Sequence, residues 1–278
     1  MNHKAPEKIQ NVGVIGAGRM GQPIIGHLAR KGFTVRVHDI DLGKRGAAES
    51  RGGSWSADAA GLARVCEAIL ICVGYDRELR DLLSDDGIFG HVRRDSIIAV
   101  LSTVHPETVR ELAARGRSRG LHVVDATMCR GAWAADEGTL LSFVAGSPEI
   151  VERLRPVLTA FSSDIVPTGD IGSAQVAKAA NNMIMWACLV ANHEGLALAH
   201  RYGLDIETMR KALLTTHAAN ASLEHWGRQS MAWADDDMEI VAAMAKERGI
   251  ALKQADAVRE ICRWLKPRRF QLDEYGTK

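Results

Sequence analysis

The chain has 278 residues, a formal net charge of +1, and 46% hydrophobic and 25% charged side chains. That length suits two modest domains or one large one, and the composition excludes a disordered chain. The near-zero charge gives no electrostatic case for binding nucleic acid or an acidic membrane surface.

The cysteines and the apolar runs limit the protein class further. The five cysteines form neither a CxxC pair nor a metal-ligand cluster, so we expect no metal site and small core residues in a reducing compartment. Residues 1–6 are polar and lack the apolar region of a signal peptide. No apolar run is long enough to cross a bilayer. The sequence therefore predicts a soluble, cytoplasmic protein.

Residues 8–39 have the pattern of a complete dinucleotide-binding unit. An apolar run leads into a Gly-x-Gly-x-x-Gly turn, a helical pattern follows, and a second apolar run ends at Asp39. In such a unit the first glycine permits a tight turn, the second lets the pyrophosphate approach the backbone, and the third lets the helix pack close to the sheet. The residues predicted to contact the cofactor in this loop are Gly16, Ala17, Gly18, Arg19, Met20 and Gly21.

The acid at the end of the second run predicts which dinucleotide binds. Asp39 is placed to accept hydrogen bonds from the adenosine ribose hydroxyls, and its charge would repel the 2′-phosphate of NADP. Ile40 and Asp41 supply no cation for that phosphate, and Arg36 and Arg45 are the only nearby candidates. NAD is therefore the predicted cofactor, and NADP is less favoured.

Beyond Asp39 the pattern alternates between short apolar runs and capped helical stretches. Further strands are predicted at residues 68–73, 97–101, 121–124, 140–145 and 164–166, and helices at residues 57–65, 107–119 and 148–160. Strands separated by helices imply a doubly wound, mostly parallel sheet. Residues 1–168 are therefore predicted to form a Rossmann domain of the α/β class.

From Gly172 onward the pattern contains no convincing strand. One helical stretch runs to about residue 201, and others cover residues 206–214, 238–248 and 253–265, followed by a tail that looks loose after Pro267. Roughly thirty helical residues span about 45 Å, enough to run along one domain and into the next. Residues 169–278 are therefore predicted to form an all-α domain joined by a long interdomain helix.

Ligands bind beyond the carboxyl ends of the strands in an open parallel sheet. The segments predicted there are residues 16–21, 73–74, 102–103 and 125–131. Lys178 and Asn182 lie four residues apart on the long helix, so both point the same way. A lysine can pass a proton to or from a substrate oxygen, and an amide can orient that oxygen. Spacing alone does not separate this role from a solvated helix face.

Four separated blocks, which together cover nearly the whole chain, carry a resemblance to a known family. They are residues 14–21, Ser102-Thr103 with Pro106, residues 125–140, and residues 172–205. Together they resemble the cofactor loop, the Ser-Thr-x-x-Pro segment, the substrate loop and the catalytic helix of the β-hydroxyacid dehydrogenase family. This family includes 3-hydroxyisobutyrate dehydrogenase and tartronate semialdehyde reductase.

The resemblance implies a Rossmann domain followed by an all-α domain, a small hydroxyacid substrate, and a dimer or tetramer as the active unit. It implies that Lys178 is the catalytic acid/base and that Asn182 orients the reacting oxygen. The implied cofactor contacts outside the glycine loop are Val73, Gly74 and Thr103. The implied substrate contacts are Cys129, Arg130, Gly131 and Asn181.

This chain departs from the family pattern in its substrate loop. The family usually has Ser-Gly-Gly where this chain has Cys129, Arg130 and Gly131. A thiol is a poorer hydrogen-bond donor than a hydroxyl. Arg130 adds five donors and a fixed charge, so it can take over carboxylate binding, bind a larger anion, or point to solvent.

Two further departures concern the cofactor. Val73-Gly74 replaces a family Leu-Pro or Val-Pro, a change that leaves backbone contacts possible. A late Lys-Asp-Leu block corresponds to residues 236–238 here, so the family lysine near the cofactor is absent. The three acids at residues 235–237 are predicted to begin a helix, where they favour the helix dipole.

These patterns together predict an NAD-dependent oxidoreductase that interconverts a β-hydroxyacid and its aldehyde or keto acid. One alternative is an imine reductase on the same scaffold, although those enzymes usually lack the lysine that this chain retains at position 178. The other is a non-catalytic NAD-binding sensor with a degraded substrate loop.

Overall fold

The computed structural model describes residues 8–276. Within that range no helix is both long and apolar enough to span a membrane. The polar residues 1–6, in which no signal peptide is predicted, lie outside the described residues. The chain divides into two compact units, of which the first ends at Lys178 and the second begins at Ala179.

The first unit is built on a single sheet. Its strands are β1 (Asn11–Ile15), β2 (Thr34–His38), β3 (Ser54–Trp55), β4 (Ala68–Ile71), β5 (Ile97–Val100), β6 (His122–Cys129), β7 (Leu140–Ala145) and β8 (Ser162–Gly169). They form an eight-stranded sheet in the order β3-β2-β1-β4-β5-β6-β7-β8. Every neighbouring pair is parallel except β6 with β7. The predicted doubly wound, mostly parallel sheet is confirmed.

Helices cover both faces of this sheet. They are α1 (Gly21–Arg30), α2 (Arg45–Ser50), α3 (Ala59–Ala63), α4 (Asp76–Leu82), α5 (Pro106–Arg117), α6 (Gly131–Glu137) and α7 (Pro148–Leu158). One core packs the α1 and α7 side chains Ile24, Leu28 and Leu154 against the sheet. The other packs Leu62 of α3 and Leu112 of α5 against the opposite face. Two separate cores are what alternating side-chain directions along each strand require.

The strand β7 runs in the opposite direction to β6, its neighbour in the sheet. It pairs antiparallel with β6, in a register that joins Asp125 to Ala145 and Cys129 to Leu141. Helix α6 and its flanking residues connect the two strands in about ten residues, too few for a parallel crossover. The substrate loop predicted after β6 therefore begins and ends on neighbouring strands.

The second unit is helical throughout its described part. Its helices are the long α8 (Ser173–Arg201), which begins in the first unit, and α9 (Ile206–Leu213), α10 (Ala221–Glu224), α11 (Ala234–Glu247) and α12 (Lys253–Leu265). Trp186 and Leu189 of α8 form one core with Met238 of α11 and with Val258 and Leu265 of α12. The predicted all-α second domain and the long helix are confirmed.

The tail after Pro267 is not loose, in contrast to the prediction. The Phe270 N–H donates to His193 Nε2 at 3.0 Å, and the Tyr275 hydroxyl donates to Glu194 Oε1 at 3.0 Å. His193 is buried beneath the rings of Trp226 and Phe270. Its partners come from far along the chain, which is why the sequence pattern did not reveal them.

Candidate functional site

The glycine loop between β1 and α1 has the geometry that its three glycines predict. Gly16 has φ +96°, and a Cβ on it would overlap the carbonyl oxygen of Cys72. A Cβ on Gly21 would overlap the carbonyl oxygen of Gly16. A Cβ on Gly18 would instead meet no described atom within 4 Å. The backbone of the protein therefore leaves no room for a side chain at the first and third glycines, whereas the second glycine faces open space beside the loop.

That open space fits a bound dinucleotide. No side chain of the described residues caps the first turn of α1, so its N–H groups remain available to an anion. A pyrophosphate over Gly18 is what these features accommodate. Ala17 and Met20 pack into the core beside the loop and hold its base.

Asp39 lies at the end of β2, against the same loop. Its carboxylate is only 7% exposed and accepts a hydrogen bond from Ala17 N at 2.7 Å and another from Asp41 N at 2.9 Å. Burial by itself would raise the pKa of Asp39. The two N–H groups and a neighbouring ammonium outweigh burial, so the pKa lies below its ordinary value. The carboxylate is therefore held ionised, with acceptor capacity left for a ribose hydroxyl.

The neighbouring ammonium belongs to Lys44, a cation that the sequence interpretation missed. Lys44 Nζ lies 3.1 Å from Asp39 Oδ2 and 3.3 Å from Oδ1. Asp41 begins a short 3-10 turn at residues 42–44 by accepting a hydrogen bond from Gly43 N, and this turn brings Lys44 back toward β2. Arg45, one of the two cations considered from the sequence, pairs with Glu49 instead.

The segments after β4 and β5 are tied to each other. Ser102 Oγ accepts a hydrogen bond from Val73 N at 2.9 Å and donates to Ile71 O at 3.3 Å. Gly74 N donates to Glu78 Oε2 at 2.8 Å, which fixes the other end of the 73–74 segment. Thr103, half-buried, occupies the next position of the chain. Val73, Gly74 and Thr103 thus belong to one connected edge of the sheet.

The start of α8 is anchored on β6. Asp125 is fully buried, and its carboxylate accepts hydrogen bonds from Gly172 N at 2.9 Å and Gln175 N at 3.0 Å. Two residues along the strand, Thr127 Oγ1 donates to Ala174 O at 3.0 Å. A carboxylate at a helix N-terminus stabilises the helix dipole. The helix that carries Lys178 therefore has a fixed origin beside the end of β6.

Lys178 reaches the beginning of the predicted substrate loop. Its ammonium donates to Met128 O at 2.6 Å, and its side chain is half-buried. Met128 is followed directly by Cys129, whose side chain is 6% exposed. The first unit thus brings the predicted acid/base next to the first residue of the substrate loop. One turn further along α8, Asn181 Nδ2 donates to the buried Asn182 Oδ1 at 3.1 Å.

Arg130 has a left-handed backbone with φ 81°, a conformation that suits glycine and strains other residues. Its Nη1 contacts Thr139 O at 3.0 Å, Ser163 Oγ at 2.8 Å and Asp164 Oδ2 at 2.7 Å. Hydrogen bonds from Ser163 and Arg130 keep the pKa of Asp164 below its ordinary value. In this structure the Arg130 side chain, which is 37% exposed, bridges to β8, and its role toward a substrate stays a prediction.

Arg19 of the glycine loop contacts α6, the helix that begins at Gly131 of the substrate loop. Gly131 has φ 79° and begins α6. The Arg19 guanidinium forms an ion pair with Asp136 of α6 and donates to Ala132 O at 3.2 Å. This hydrogen-bonded pair keeps the pKa of Asp136 below its ordinary value. The cofactor loop and the helix after the substrate loop are therefore in direct contact.

The remaining predicted features are the late acids and the cysteines. The acids at residues 235–237 do occupy the first turn of α11, where Asp235 pairs with Arg259 and Asp237 accepts from Trp186 Nε1 at 3.0 Å. Burial raises the pKa of the Cys66 and Cys262 thiols to about 12, so both are inert. Among residues 8–276 no group of three His, Cys, Asp or Glu side chains is arranged to hold a metal.

The two functional residues that the sequence interpretation missed are Lys44 and Gln175. Lys44 is hidden because four residues without a regular pattern separate it from Asp39. Gln175 is buried, and its side chain contacts the backbone of residues 102 and 104. It had a weak signal, since it is the single polar side chain in the Ala-rich turn that precedes Lys178.

Comparison with known proteins agrees with this architecture. A family model for the NAD-binding domain of 6-phosphogluconate dehydrogenase matches residues 11–169. A second, for the NAD-binding domain of NADP-dependent 3-hydroxyisobutyrate dehydrogenase, matches residues 172–269. An NAD-dependent L-serine dehydrogenase of Pseudomonas aeruginosa is 27% identical over 90% of this chain and 86% of its own. A 3-hydroxyisobutyrate dehydrogenase of the same organism is 29% identical over 89% and 86%.

Solved structures share the fold. A Mycobacterium tuberculosis 3-hydroxyisobutyrate dehydrogenase, described with L-serine, superposes with a TM-score of 0.85 at 21% identity over 94% of this chain and 95% of its own. A Myxococcus stipitatus imine reductase is more distant, with a TM-score of 0.68 at 21% identity over 94% and 95%. With both family models matched in order along its length, this chain is an NAD(P)-dependent dehydrogenase that belongs to the β-hydroxyacid dehydrogenase family.

Proposed function

We propose that this enzyme oxidises the hydroxyl of a small β-hydroxyacid with NAD, or reduces the corresponding aldehyde or keto acid. The observation that carries the proposal is the bond from Lys178 Nζ to Met128 O at 2.6 Å. It supports an acid/base lysine at the start of the substrate loop, in the same unit as the dinucleotide fold. L-serine and 3-hydroxyisobutyrate, named for the relatives, are the first substrates to test.

The proposed roles divide between the two parts of the chain. Residues 1–168 would hold NAD through the glycine loop, Asp39, Val73, Gly74 and Thr103. When bound, NAD supplies the acceptor for the hydride that leaves the carbinol carbon. Residues 169–278 would complete the substrate site and the oligomer interface. These assignments rest on the family resemblance and on the loop contacts of the first unit.

The proton is the part of the reaction that this chain handles. As the neutral amine, Lys178 takes the hydroxyl proton during oxidation, and as the ammonium it returns that proton to the carbonyl oxygen during reduction. Its bond to Met128 O fixes the ammonium near the loop before substrate binds. The Asn182 amide orients the same oxygen. Asn181, Cys129, Gly131 and, if its guanidinium can leave β8, Arg130 bind the acidic end of the substrate.

Turnover by the wild-type enzyme and by Lys178→Met tests this proposal. The panel comprises both enantiomers of serine and 3-hydroxyisobutyrate, together with D-glycerate and 3-hydroxypropionate, each assayed for NADH formation. Loss of a positioned acid/base lowers kcat by about 10²- to 10⁴-fold. NADH binding by the variant stays within about threefold of wild type, because a loss of proton transfer leaves nucleotide contacts intact.

The matched control is Lys211→Met, on the exposed helix α9, where the lysine pairs only with Glu207. It retains full activity. A fully active Lys178→Met enzyme contradicts the proposed mechanism. Tight NADH binding with no turnover of any hydroxyacid supports the sensor alternative instead.

We also propose that the working unit is a homodimer or homotetramer in the cytoplasm. Ile184 and Leu198 on α8 are 60% and 63% exposed, an apolar surface that a second copy would cover. None of the five cysteines forms a disulfide in the described part of the chain, which suits a reducing compartment. Light scattering at micromolar concentration is expected to give two or four chains, and a monomer there contradicts this proposal.

A further inference from the structure

A buried glutamine connects the catalytic helix to the turn after β5. Gln175 is 1% exposed and lies three residues before Lys178 on α8. Its Nε2 donates to Ser102 O at 2.9 Å, and its Oε1 accepts from Val104 N at 3.0 Å. Both polar atoms of the amide are therefore used, one on each side of Thr103. Only a side chain with a donor and an acceptor on one planar group can make both bonds.

The same turn connects onward to the segment after β4. Ser102 Oγ accepts from Val73 N at 2.9 Å and donates to Ile71 O at 3.3 Å. Gln175 N in turn donates to the buried carboxylate of Asp125 at 3.0 Å. A continuous series of hydrogen bonds thus runs from β6, through the first turns of α8, to residues 73–74 and 102–104, the two segments predicted to contact the cofactor. Thr103, in the second of them, is the residue proposed to hold the nicotinamide side.

We propose that Gln175 is a positioning residue, which fixes the 102–104 turn to α8 so that the nicotinamide end of NAD and the Lys178 ammonium keep a constant separation. This rests on the proposed function only for the roles of Thr103 and Lys178. Gln175 touches neither substrate nor cofactor. It acts through the two backbone groups that bracket Thr103, which a bound nicotinamide would contact.

The position excludes simple alternatives for this glutamine. Its side chain is buried against the backbone of the 102–104 turn, so it is not a solvated helix residue. An apolar residue of the same shape would leave Val104 N–H and Ser102 O buried without partners, which is costly. Anchoring of α8 does not require this side chain, because Asp125 and Thr127 already hold the helix through Gly172 N, Gln175 N and Ala174 O.

The test compares binding of NADH with binding of ADP-ribose, which lacks the nicotinamide. In Gln175→Met, the Kd of NADH is expected to rise about tenfold, the equivalent of roughly one hydrogen bond. The Kd of ADP-ribose is expected to change by less than about twofold. Calorimetry measures both, and neither measurement requires a known substrate. The result therefore stands whether or not any hydroxyacid is turned over.

The matched control is Thr127→Val, which is isosteric and removes the bond to Ala174 O from the same helix turn without touching the 102–104 turn. It is expected to leave both Kd values within about twofold. If Thr127→Val weakens NADH as much as Gln175→Met does, anchoring of α8 explains the effect and the proposal is wrong. Equal weakening of NADH and ADP-ribose by Gln175→Met, or no weakening of either, also overturns it.

A second variant decides the question if Gln175→Met does not fold. In Gln175→Glu the introduced carboxyl occupies a position that is only 1% exposed, so burial raises its pKa. Protonated, it can donate to Ser102 O and accept from Val104 N–H as glutamine does; ionised, it has no donor. NADH affinity relative to ADP-ribose should therefore recover as the pH falls from 8.5 to 5.5, whereas the wild-type ratio stays flat. A variant ratio that is independent of pH contradicts the proposal.

Discussion

The cofactor loop and the substrate loop both follow the carboxyl ends of strands in the same sheet. They differ in which residue adopts the left-handed backbone conformation that each loop contains. In the cofactor loop the left-handed position is occupied by Gly16, and glycines stand wherever a Cβ would collide. In the substrate loop the left-handed position is occupied by Arg130, whose side chain is held by β8. The first loop avoids strain, whereas the second carries strain that tertiary contacts offset.

This difference separates a general task from a particular one. Every dinucleotide presents the same pyrophosphate, so the first loop needs only open backbone and a helix N-terminus. A hydroxyacid site must distinguish substrates by the side chains that contact them. Cys129 and Arg130, which differ from the usual family residues, are predicted to stand at such positions in this chain. Substitutions in the two loops should therefore affect different ligands and by different amounts.

The largest effect is expected from Gly18→Ala. The added methyl meets no described atom within 4 Å, so the melting temperature stays close to that of wild type. It occupies space needed by the pyrophosphate, and crowding of about 1–3 kcal/mol corresponds to a roughly 5- to 150-fold higher Kd for NADH. Fluorescence titration and thermal unfolding measure the two quantities.

Two glycine controls frame this result. Gly21→Ala, whose Cβ overlaps Gly16 O, lowers the melting temperature itself. Gly195→Ala, in an open position inside α8, leaves NADH affinity unchanged and raises the melting temperature slightly, because alanine favours the helix more than glycine does. Unchanged NADH affinity in Gly18→Ala contradicts the assignment of that space to the cofactor.

The second effect concerns Asp39→Asn. Loss of the charged acceptor removes the partner of Lys44 and weakens a ribose hydrogen bond, worth about 1–1.5 kcal/mol or roughly 5- to 13-fold in the Kd of NADH. NADPH binding improves relative to NADH, because Lys44 becomes available to a phosphate. Asp41→Asn, which alters the neighbouring turn only, is the control. An unchanged ratio of the two affinities shows that Asp39 does not select the cofactor.

Asp39→Asn also carries a pH signature. The pKa of Asp39 is lowered in the folded protein, so its contribution to stability is present above the ordinary carboxyl pKa and is lost as pH falls through the lowered value. The difference in melting temperature between wild type and Asp39→Asn should therefore shrink as the pH falls below about 4. A difference that grows in acid contradicts the pKa direction.

A smaller effect in the opposite direction is expected from Cys129→Ser. A hydroxyl is a stronger donor than a thiol, so KM for the best hydroxyacid should fall about 2- to 13-fold, the equivalent of 0.5–1.5 kcal/mol for one hydrogen bond. NADH affinity remains that of wild type. Cys188→Ser, on α8, serves as the control. A KM that stays constant or rises indicates that position 129 does not touch the substrate carboxylate.

The smallest effect is expected from Arg130→Gly. Its Nη1 is bound to Thr139, Ser163 and Asp164, so KM for a hydroxyacid should change by less than about threefold, within the range of one exposed ion pair. Glycine also relieves the left-handed strain, which offsets the lost contacts. The preference for acids over their methyl esters should match that of wild type. A tenfold loss of that preference makes Arg130 the carboxylate-binding group.

Features with a local cause were predictable from the sequence. The glycine loop, Asp39, the alternating strands and the long helix each follow from a pattern within a few turns of chain. The direction of β7 was not predictable, because the pattern of a six-residue apolar run does not show whether the strand lies parallel or antiparallel to its neighbour. The helix α6 was missed because its seven residues make only about two turns, too few for a helical hydrophobic periodicity to stand out.

The contacts that complete the site were also out of reach. Arg19 pairs with Asp136 across more than one hundred residues, and Gln175 reaches the 102–104 turn from another element. Such pairings depend on the register of the sheet, which no local pattern contains. Lys178, by contrast, was identified through the family resemblance, although helical spacing alone left it ambiguous.

The antiparallel pairing of β6 and β7 makes residues 130–139 a closed segment, whose two ends are joined by the ladder between Cys129 and Leu141. An insertion or exchange there leaves the order of the other strands untouched. The nucleotide-binding frame can therefore stay constant while this short cassette diverges. A chimaera that receives residues 129–139 from a relative is therefore expected to keep the strand order while it exchanges the whole predicted substrate loop.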